Sequence, residues 1–150
     1  MDSPLQGPSG ISQAAFEKKS WGRFIGGWHF KAPFFVEHLK TIDAFAEKPV
    51  IEVRQAKLGP AQLRALATEI AKVEEASAKP EGCDERVTDG PYGKLEWLHE
   101  GTTASVKWDA NCLKGRDADL RAAISAVDKI ITDAAMATPV TERREEGSGR

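Results

Sequence analysis

The sequence contains no hydrophobic run that could cross a membrane, because a helical span needs roughly 20 consecutive apolar residues. Apolar patches such as the one at 33–36 are far shorter. The chain also lacks an excess of either charge: 21 lysines and arginines against 23 aspartates and glutamates give a formal net charge of -2. Charge therefore predicts no general attraction to nucleic acid or to an anionic membrane. The 41% hydrophobic and 29% charged content is typical of an ordinary globular protein.

Cysteine is scarce, and its placement is informative. The only two, Cys83 and Cys112, stand on either side of a stretch that has the pattern of a β-hairpin. We interpret them as a disulfide, which would persist only outside the reducing cytosol and so predicts a periplasmic or secreted protein. The alternative is two separate buried thiols in a cytoplasmic protein. Residues 1–4 lack the basic start and apolar segment of a secretory signal, so the chain is either cytosolic or a mature segment with an added methionine.

Motifs of catalysis and cofactor binding are missing from the sequence. It has no G-x-S-x-G elbow, Walker loop, G-x-G-x-x-G or H-E-x-x-H pattern. The histidines His29, His38 and His99 stand more than four residues from one another and from either cysteine, which is not the spacing of a zinc site. We assign Asp117 to helix capping and Asp128 to a solvated helix face. An enzyme is therefore disfavoured, and we expect no catalytic residues, no metal and no cofactor.

Aromatic side chains are few, but they are concentrated near the N-terminus. Eight of the eleven lie within residues 16–45. One interpretation is a core, because aromatic residues carry much of the burial in a fold. The other is a binding surface, since tryptophan is enriched at sites of recognition. The residues assigned to a partner- or ligand-binding surface are Trp21, Phe24, Trp28, His29, Phe30, Phe34 and Phe35.

Basic residues are interleaved with these aromatics across residues 18–40. Platforms that stack single-stranded nucleic acid combine the same two ingredients. No RNP, KH or helix-turn-helix pattern accompanies them. Nucleic-acid binding is therefore the weakest of the functions we consider.

Hydrophobic periodicity predicts two amphipathic helices. The first begins at Pro60, carries an apolar stripe through Leu66 and Val73, and ends near 79–82. The second carries the stripe Leu120, Ile124, Val127, Ile131 and Ala134; we expect it to start with Asp117 as N-cap and to run to about Met136.

Strand patterns flank the first helix. Val50–Arg54 is short and rich in β-branched residues, and 94–108 alternates apolar with polar residues as a hairpin does. A turn near 100–102 would set Trp97 opposite Ala104 and Leu95 opposite Val106, leaving His99 exposed at the tip. Residues 33–46 fit helical spacing and we favour a helix there, with a strand as the alternative.

These elements predict an α+β fold: a small antiparallel sheet with a central hairpin, packed by two amphipathic helices, plus an aromatic-rich N-terminal segment. We expect one domain over 12–137, a mobile lead-in at 1–11 and a mobile polar tail at 138–150.

The leading functional hypothesis is a non-catalytic binding or structural-interaction domain that uses the aromatic N-terminal surface for a protein partner or for self-association. The alternative is a small-molecule-binding domain or small enzyme. Its pocket would be lined by Trp28, Phe30, Trp97 and Trp108.

Overall fold

The computed structural model of this chain describes residues 10–145, which form nine strands and two helices. The strands are β1 (Ile11–Ser20), β2 (Arg23–Lys31), β3 (Phe35–Ile42), β4 (Val50–Lys57), β5 (Glu85–Arg86), β6 (Tyr92–His99), β7 (Thr102–Asp109), β8 (Cys112–Lys114) and β9 (Glu142–Glu145). The helices are α1 (Pro60–Ser77) and α2 (Arg116–Met136).

Seven strands make one antiparallel sheet in the order β7-β6-β1-β2-β3-β4-β9, and β5 pairs with β8 in a second, two-stranded sheet. The predicted α+β class, with an antiparallel sheet and two helices, is confirmed. Most of the lead-in and the end of the tail, residues 1–9 and 146–150, lie outside the described residues. Ile11 already belongs to β1, and residues 142–145 of the assigned tail pair with β4 as β9.

The β6–β7 hairpin has the predicted register. Trp97 is opposite Ala104 and Leu95 is opposite Val106. The two turn residues, 100 and 101, both have positive φ angles, 49° and 82°, as a type I′ hairpin turn requires. His99 at the end of β6 is not simply exposed as expected. Its Nδ1 lies 2.8 Å from Oε2 of Glu74 in α1, which ties the hairpin to that helix.

The helix favoured for residues 33–46 is wrong, because this segment forms β3. Phe35–Ile42 pairs with β2 on one side and with β4 on the other. Burial alternates over residues 35–39: Val36 and His38 face the helices, while Glu37 and Leu39 point to the other face. The apolar residues of this segment fit the helical period of 3.6 almost as well as the strand period of two. Pairing with β2 and β4 on both sides favours the strand.

The middle of β1 is approached closely by both neighbouring strands. Gly27 of β2 lies opposite Glu17, and Gly93 of β6 lies opposite Lys18. A Cβ atom at Gly27 would lie 2.3 Å from the carbonyl oxygen of Phe16, and one at Gly93 would lie 1.8 Å from that of Glu17. Glycine is therefore required at both positions. Gly27 and the preceding Gly26 both lie inside strand β2.

Both helices lie where the periodicity predicts them. α1 begins at Pro60, and α2 ends at Met136 as expected. The N-cap of α2 is Gly115, so the assignment of Asp117 as N-cap is wrong. Asp117 lies in the first turn, where its carboxylate accepts hydrogen bonds from the backbone N–H of Gly82 at 3.2 Å and from the guanidinium of Arg116 at 2.9 Å.

α1 and α2 cover one face of the large sheet, and the core lies between these two layers. The residues of α1 and α2 that pack into it include the predicted stripes, with Leu66, Ile70, Val73, Leu120, Ile124, Val127 and Ile131 all buried. Neither of these two helices of residues 10–145 combines the length and apolar character needed to cross a membrane.

Cys83 and Cys112 are paired as a disulfide, with their sulfur atoms 2.06 Å apart. The pair anchors the segment between α1 and β6 to β8, next to the start of α2. Arg116 adds to this anchor, because its guanidinium donates to the carbonyl oxygens of Ala76 at 3.1 Å and Ser77 at 3.3 Å. Those carbonyls belong to the last turn of α1, whose C=O groups have no i+4 partner within the helix.

Breaking the disulfide should lower stability without changing the architecture. For a sequence separation of 29 residues, the chain-entropy model predicts a loss of about 3 to 4 kcal/mol in the free energy of unfolding. We expect this loss for Cys83→Ser/Cys112→Ser, measured by urea unfolding followed by circular dichroism. The oxidised and reduced forms of the unmutated chain are the matched control, and a difference below about 1 kcal/mol would contradict the prediction.

Candidate binding surface

The structure distributes the seven predicted site residues over four places. Trp28 and Phe30 are buried under the helices. Phe24 and His29 belong to the opposite face of the sheet, which the two helices do not cover and which we call the uncovered face. Phe34 and Phe35 form a pair at the β2–β3 connection, and Trp21 occupies the tip of the β1–β2 turn. The aromatic-rich segment 16–45 therefore contributes side chains both to the core and to the surface, and only the surface side chains are available to a partner.

Three aromatic rings on the helix-covered face form a stack across the sheet. Phe16 of β1 lies between Trp28 of β2, at 5.7 Å between ring centroids, and Trp108 of β7, at 5.5 Å. β6 runs between β1 and β7, but its residue opposite Trp108 is Gly93, so no side chain separates the rings. Trp97 is also buried. The four residues proposed to line a ligand pocket thus pack in or against the core.

The uncovered face of the sheet has two shallow depressions on either side of His29. Their volumes are about 300 and 260 Å³, and Ala15, His29 and Glu96 contribute to both. These volumes are at or below the lower end of the roughly 300 to 1,000 Å³ typical of ligand pockets. Residues 10–145 contain no group of three or more histidine, cysteine or acidic side chains placed to hold a metal.

The aromatic pair at the β2–β3 connection is also partly exposed. The rings of Phe34 and Phe35 lie 4.7 Å apart, and Nζ of Lys57 approaches both at 5.7 and 5.9 Å. Phe35 is 48% exposed. This pair lies at the opposite end of the strands from Trp21.

Large apolar residues gather at the end of the sheet that carries the β1–β2 turn. Trp21 of that turn is 71% exposed and Phe45, between β3 and β4, is 56% exposed. Ile42 and Tyr92 are also exposed at this end, on the last residue of β3 and the first of β6. We call these four residues the turn-end patch.

Sequence reasoning assigned only Trp21 of the turn-end patch to a site. Phe45 was counted among the clustered aromatics, whereas Ile42 and Tyr92 carried no signal. Antiparallel pairing brings them to one end: Lys19 is opposite Tyr92, and Ile42 is opposite Val50. That proximity depends on strand order, which one sequence does not reveal.

Trp21 has an unfavourable backbone conformation. Trp21 and Gly22 have φ angles of 51° and 77°, which makes this a two-residue turn of the type I′ class. Asparagine, aspartate or glycine is the usual first residue of such a turn, and a bulky side chain with positive φ is uncommon. The left-handed conformation costs a non-glycine residue roughly 1 to 2 kcal/mol.

Neighbouring side chains hold the turn-end patch in place. The hydroxyl of Tyr92 accepts a hydrogen bond of 2.9 Å from the backbone N–H of Gly22. The guanidinium of Arg23 lies 5.8 Å from the ring centroid of Phe45, in a cation–π contact. The turn is thus tied to β6 on one side and to the β3–β4 loop on the other.

A polar cluster connects the helix-covered face to α2. Asp128, which we had assigned to a solvated helix face, accepts hydrogen bonds from the indole N–H of Trp28 and the hydroxyl of Thr132, both at 2.9 Å. His38 Nε2 lies 3.3 Å from the same hydroxyl oxygen. Because that hydroxyl donates to Asp128, it accepts from His38, so the proton of the neutral ring is on Nε2.

Burial favours the neutral form of His38. Burial lowers the pKa of His38 below its ordinary value, with Arg54 and Lys40 lowering it further while Asp128 acts in the opposite direction. The hydrogen bonds of this cluster join Trp28 of β2 and His38 of β3 to Asp128 and Thr132 of α2. We therefore assign this cluster to the alignment of α2 on the sheet.

Acidification should destabilise the fold through His38. The unfolded chain takes up a proton as pH falls through about 6.5, whereas folded His38 resists protonation, so the free energy of unfolding decreases there. We expect the stability of the unmutated chain relative to His38→Gln to fall between about pH 7.5 and 5.5. Urea unfolding of both proteins at each pH measures this difference. A difference that does not change with pH, or that grows on acidification, would contradict the lowered pKa.

Comparison with known proteins does not assign the chain to a family. No protein-family model matches it, and neither a curated protein nor a solved structure shows significant similarity to it.

Proposed function

We propose that this chain is a non-catalytic binding domain that presents the turn-end patch to a protein partner. The observation that carries the proposal is Trp21, a tryptophan that is 71% exposed in a backbone conformation that disfavours it. Strain of this kind persists in proteins mainly where function requires the residue. Tryptophan is also the side chain most often found at the energetic centre of protein interfaces.

The neighbours of Trp21 support a protein partner. Phe45, Ile42 and Tyr92 add exposed apolar area at the same end of the sheet. Exposed apolar side chains that cluster on a protein surface often mark an interaction site. Because Tyr92 and Arg23 fix the turn and the loop, little conformational freedom is lost on binding. The expected partner offers an apolar pocket that accepts the indole ring.

The burial of Trp28 and Phe30 disfavours the other two functions. A stacking platform for nucleic acid needs exposed rings along a basic groove, but these two rings face α1 and α2. The same burial removes the residues that were to line an aromatic ligand pocket. The Cys83–Cys112 pair supports a periplasmic or secreted location as part of this proposal.

Trp21→Asn separates binding from folding. Asparagine suits the left-handed position, so we expect the free energy of unfolding to stay unchanged or to rise by about 1 kcal/mol. Loss of the indole ring should weaken partner binding by about 2 kcal/mol or more, roughly 30-fold. Urea unfolding measures the first effect and titration calorimetry with the purified partner measures the second. Equal affinity of both proteins would contradict the proposal.

The partner is identified by site-specific photo-crosslinking in the cells that produce the protein. A photoreactive phenylalanine replaces Phe45, and the matched control replaces Phe35, which is similarly exposed at the other end of the sheet. We expect one protein to be crosslinked from position 45 and not from 35, and the adduct to disappear in the Trp21→Asn background. An adduct that persists there would contradict the assignment of the surface.

A further inference from the structure

The two edges of the seven-stranded sheet are built differently. The β9 edge is four residues long, and all four side chains are ionisable: Glu142, Arg143, Arg144 and Glu145. Arg144 bonds Glu142 at 2.6 Å, and Arg143 pairs with Glu52 of β4 at 3.2 Å. Short, charged edge strands are a standard protection against pairing with another chain.

The β7 edge lacks this protection. It is eight residues long, contains no proline, and pairs with β6 without a bulge. Between Thr102 and Trp108 it carries a single charge, on Lys107. No strand of residues 10–145 pairs with its outer side, so alternate backbone N–H and C=O groups of β7 are left without a sheet partner.

We propose that the β7 edge pairs with the β7 edge of a second copy of this chain. The two strands run antiparallel about a two-fold axis at Ser105 and join both large sheets into one. This places Thr103 opposite Lys107 of the second copy, and Ala104 opposite Val106. Thr102 then lies opposite Trp108, and Ser105 opposite its own counterpart.

The register follows from the side chains of β7. Thr102, Ala104, Val106 and Trp108 belong to the helix-covered face, where the last three pack half-buried at the margin of the core. Pairing about Ser105 sets small residues against large ones on this face. It sets no like charges opposite each other, and a β-branched residue opposite an aromatic one is a favourable cross-strand pair.

The end of β7 limits a shift of this register toward Asp109. The carboxylate of Asp109 already accepts a hydrogen bond from the backbone N–H of Asn111 at 2.8 Å and contacts Arg86 at 3.4 Å. Beyond it, the backbone N–H of Ala110 donates to the carbonyl of Pro91. The self-complementarity of residues 102–108 favours a second copy over an unrelated extended peptide.

A matched pair of substitutions at Thr103 tests this contact. Thr103 is exposed and lies outside the core. Thr103→Lys places two like-charged pairs across the proposed seam, whereas Thr103→Glu places two opposite-charged pairs there. We expect dimers that dissociate on dilution, because a seam of seven residues is smaller than most stable interfaces. The dissociation constants of the two variants should differ by about ten-fold or more, with the lysine variant the weaker.

Sedimentation equilibrium of the oxidised full chain, from micromolar to near-millimolar concentration, measures both constants. Adding Lys107→Glu to Thr103→Lys should restore dimerisation, and Trp21→Asn should leave it unchanged. A chain that stays monomeric throughout overturns the proposal, including the case in which β7 captures an extended segment of another protein. A dimer that is insensitive to charge at position 103, or strengthened by lysine there, overturns this register.

Discussion

The structure depends on the burial of aromatic rings between the large sheet and the two helices. Phe16 occupies the centre of that layer, stacked between Trp28 and Trp108 from strands on either side. The stack links β2, β1 and β7, which are far apart in sequence. The helices then cover it, and α2 is aligned by polar contacts from successive strands: Trp28 to Asp128, His38 to Thr132, and Arg54 to the carbonyl of Thr138.

This layer decides which aromatics are left for recognition. Strand alternation sends Trp28 and Phe30 inward and His29 outward, so a contiguous aromatic segment cannot act as one surface. The residues left outside lie at turns and strand ends, where alternation no longer applies. The proposed recognition through Trp21 would use an exposed side chain that lies outside the core.

Much of the fold was predictable because the relevant signals are local. The stripe from Leu66 to Val73, the alternation around Trp97, and the two cysteines each predicted their structure correctly. Residues 33–46 were ambiguous, because Phe35, Leu39 and Ile42 satisfy helical spacing while their pairing partners lie in β2 and β4. The turn-end patch was harder to predict from the sequence, since only the strand order of the sheet places Ile42, Phe45 and Tyr92 at the same end as Trp21.

The close approach of Gly27 and Gly93 to β1 has an evolutionary consequence. Two strands that contact β1 from opposite sides both depend on the absence of a side chain, so neither position has a substitute among the other residues. Relatives of this chain should therefore keep both glycines even where their exposed turns differ. We therefore expect distant relatives to share one feature: a glycine in each of the two strands that flank β1, at the positions of Gly27 and Gly93.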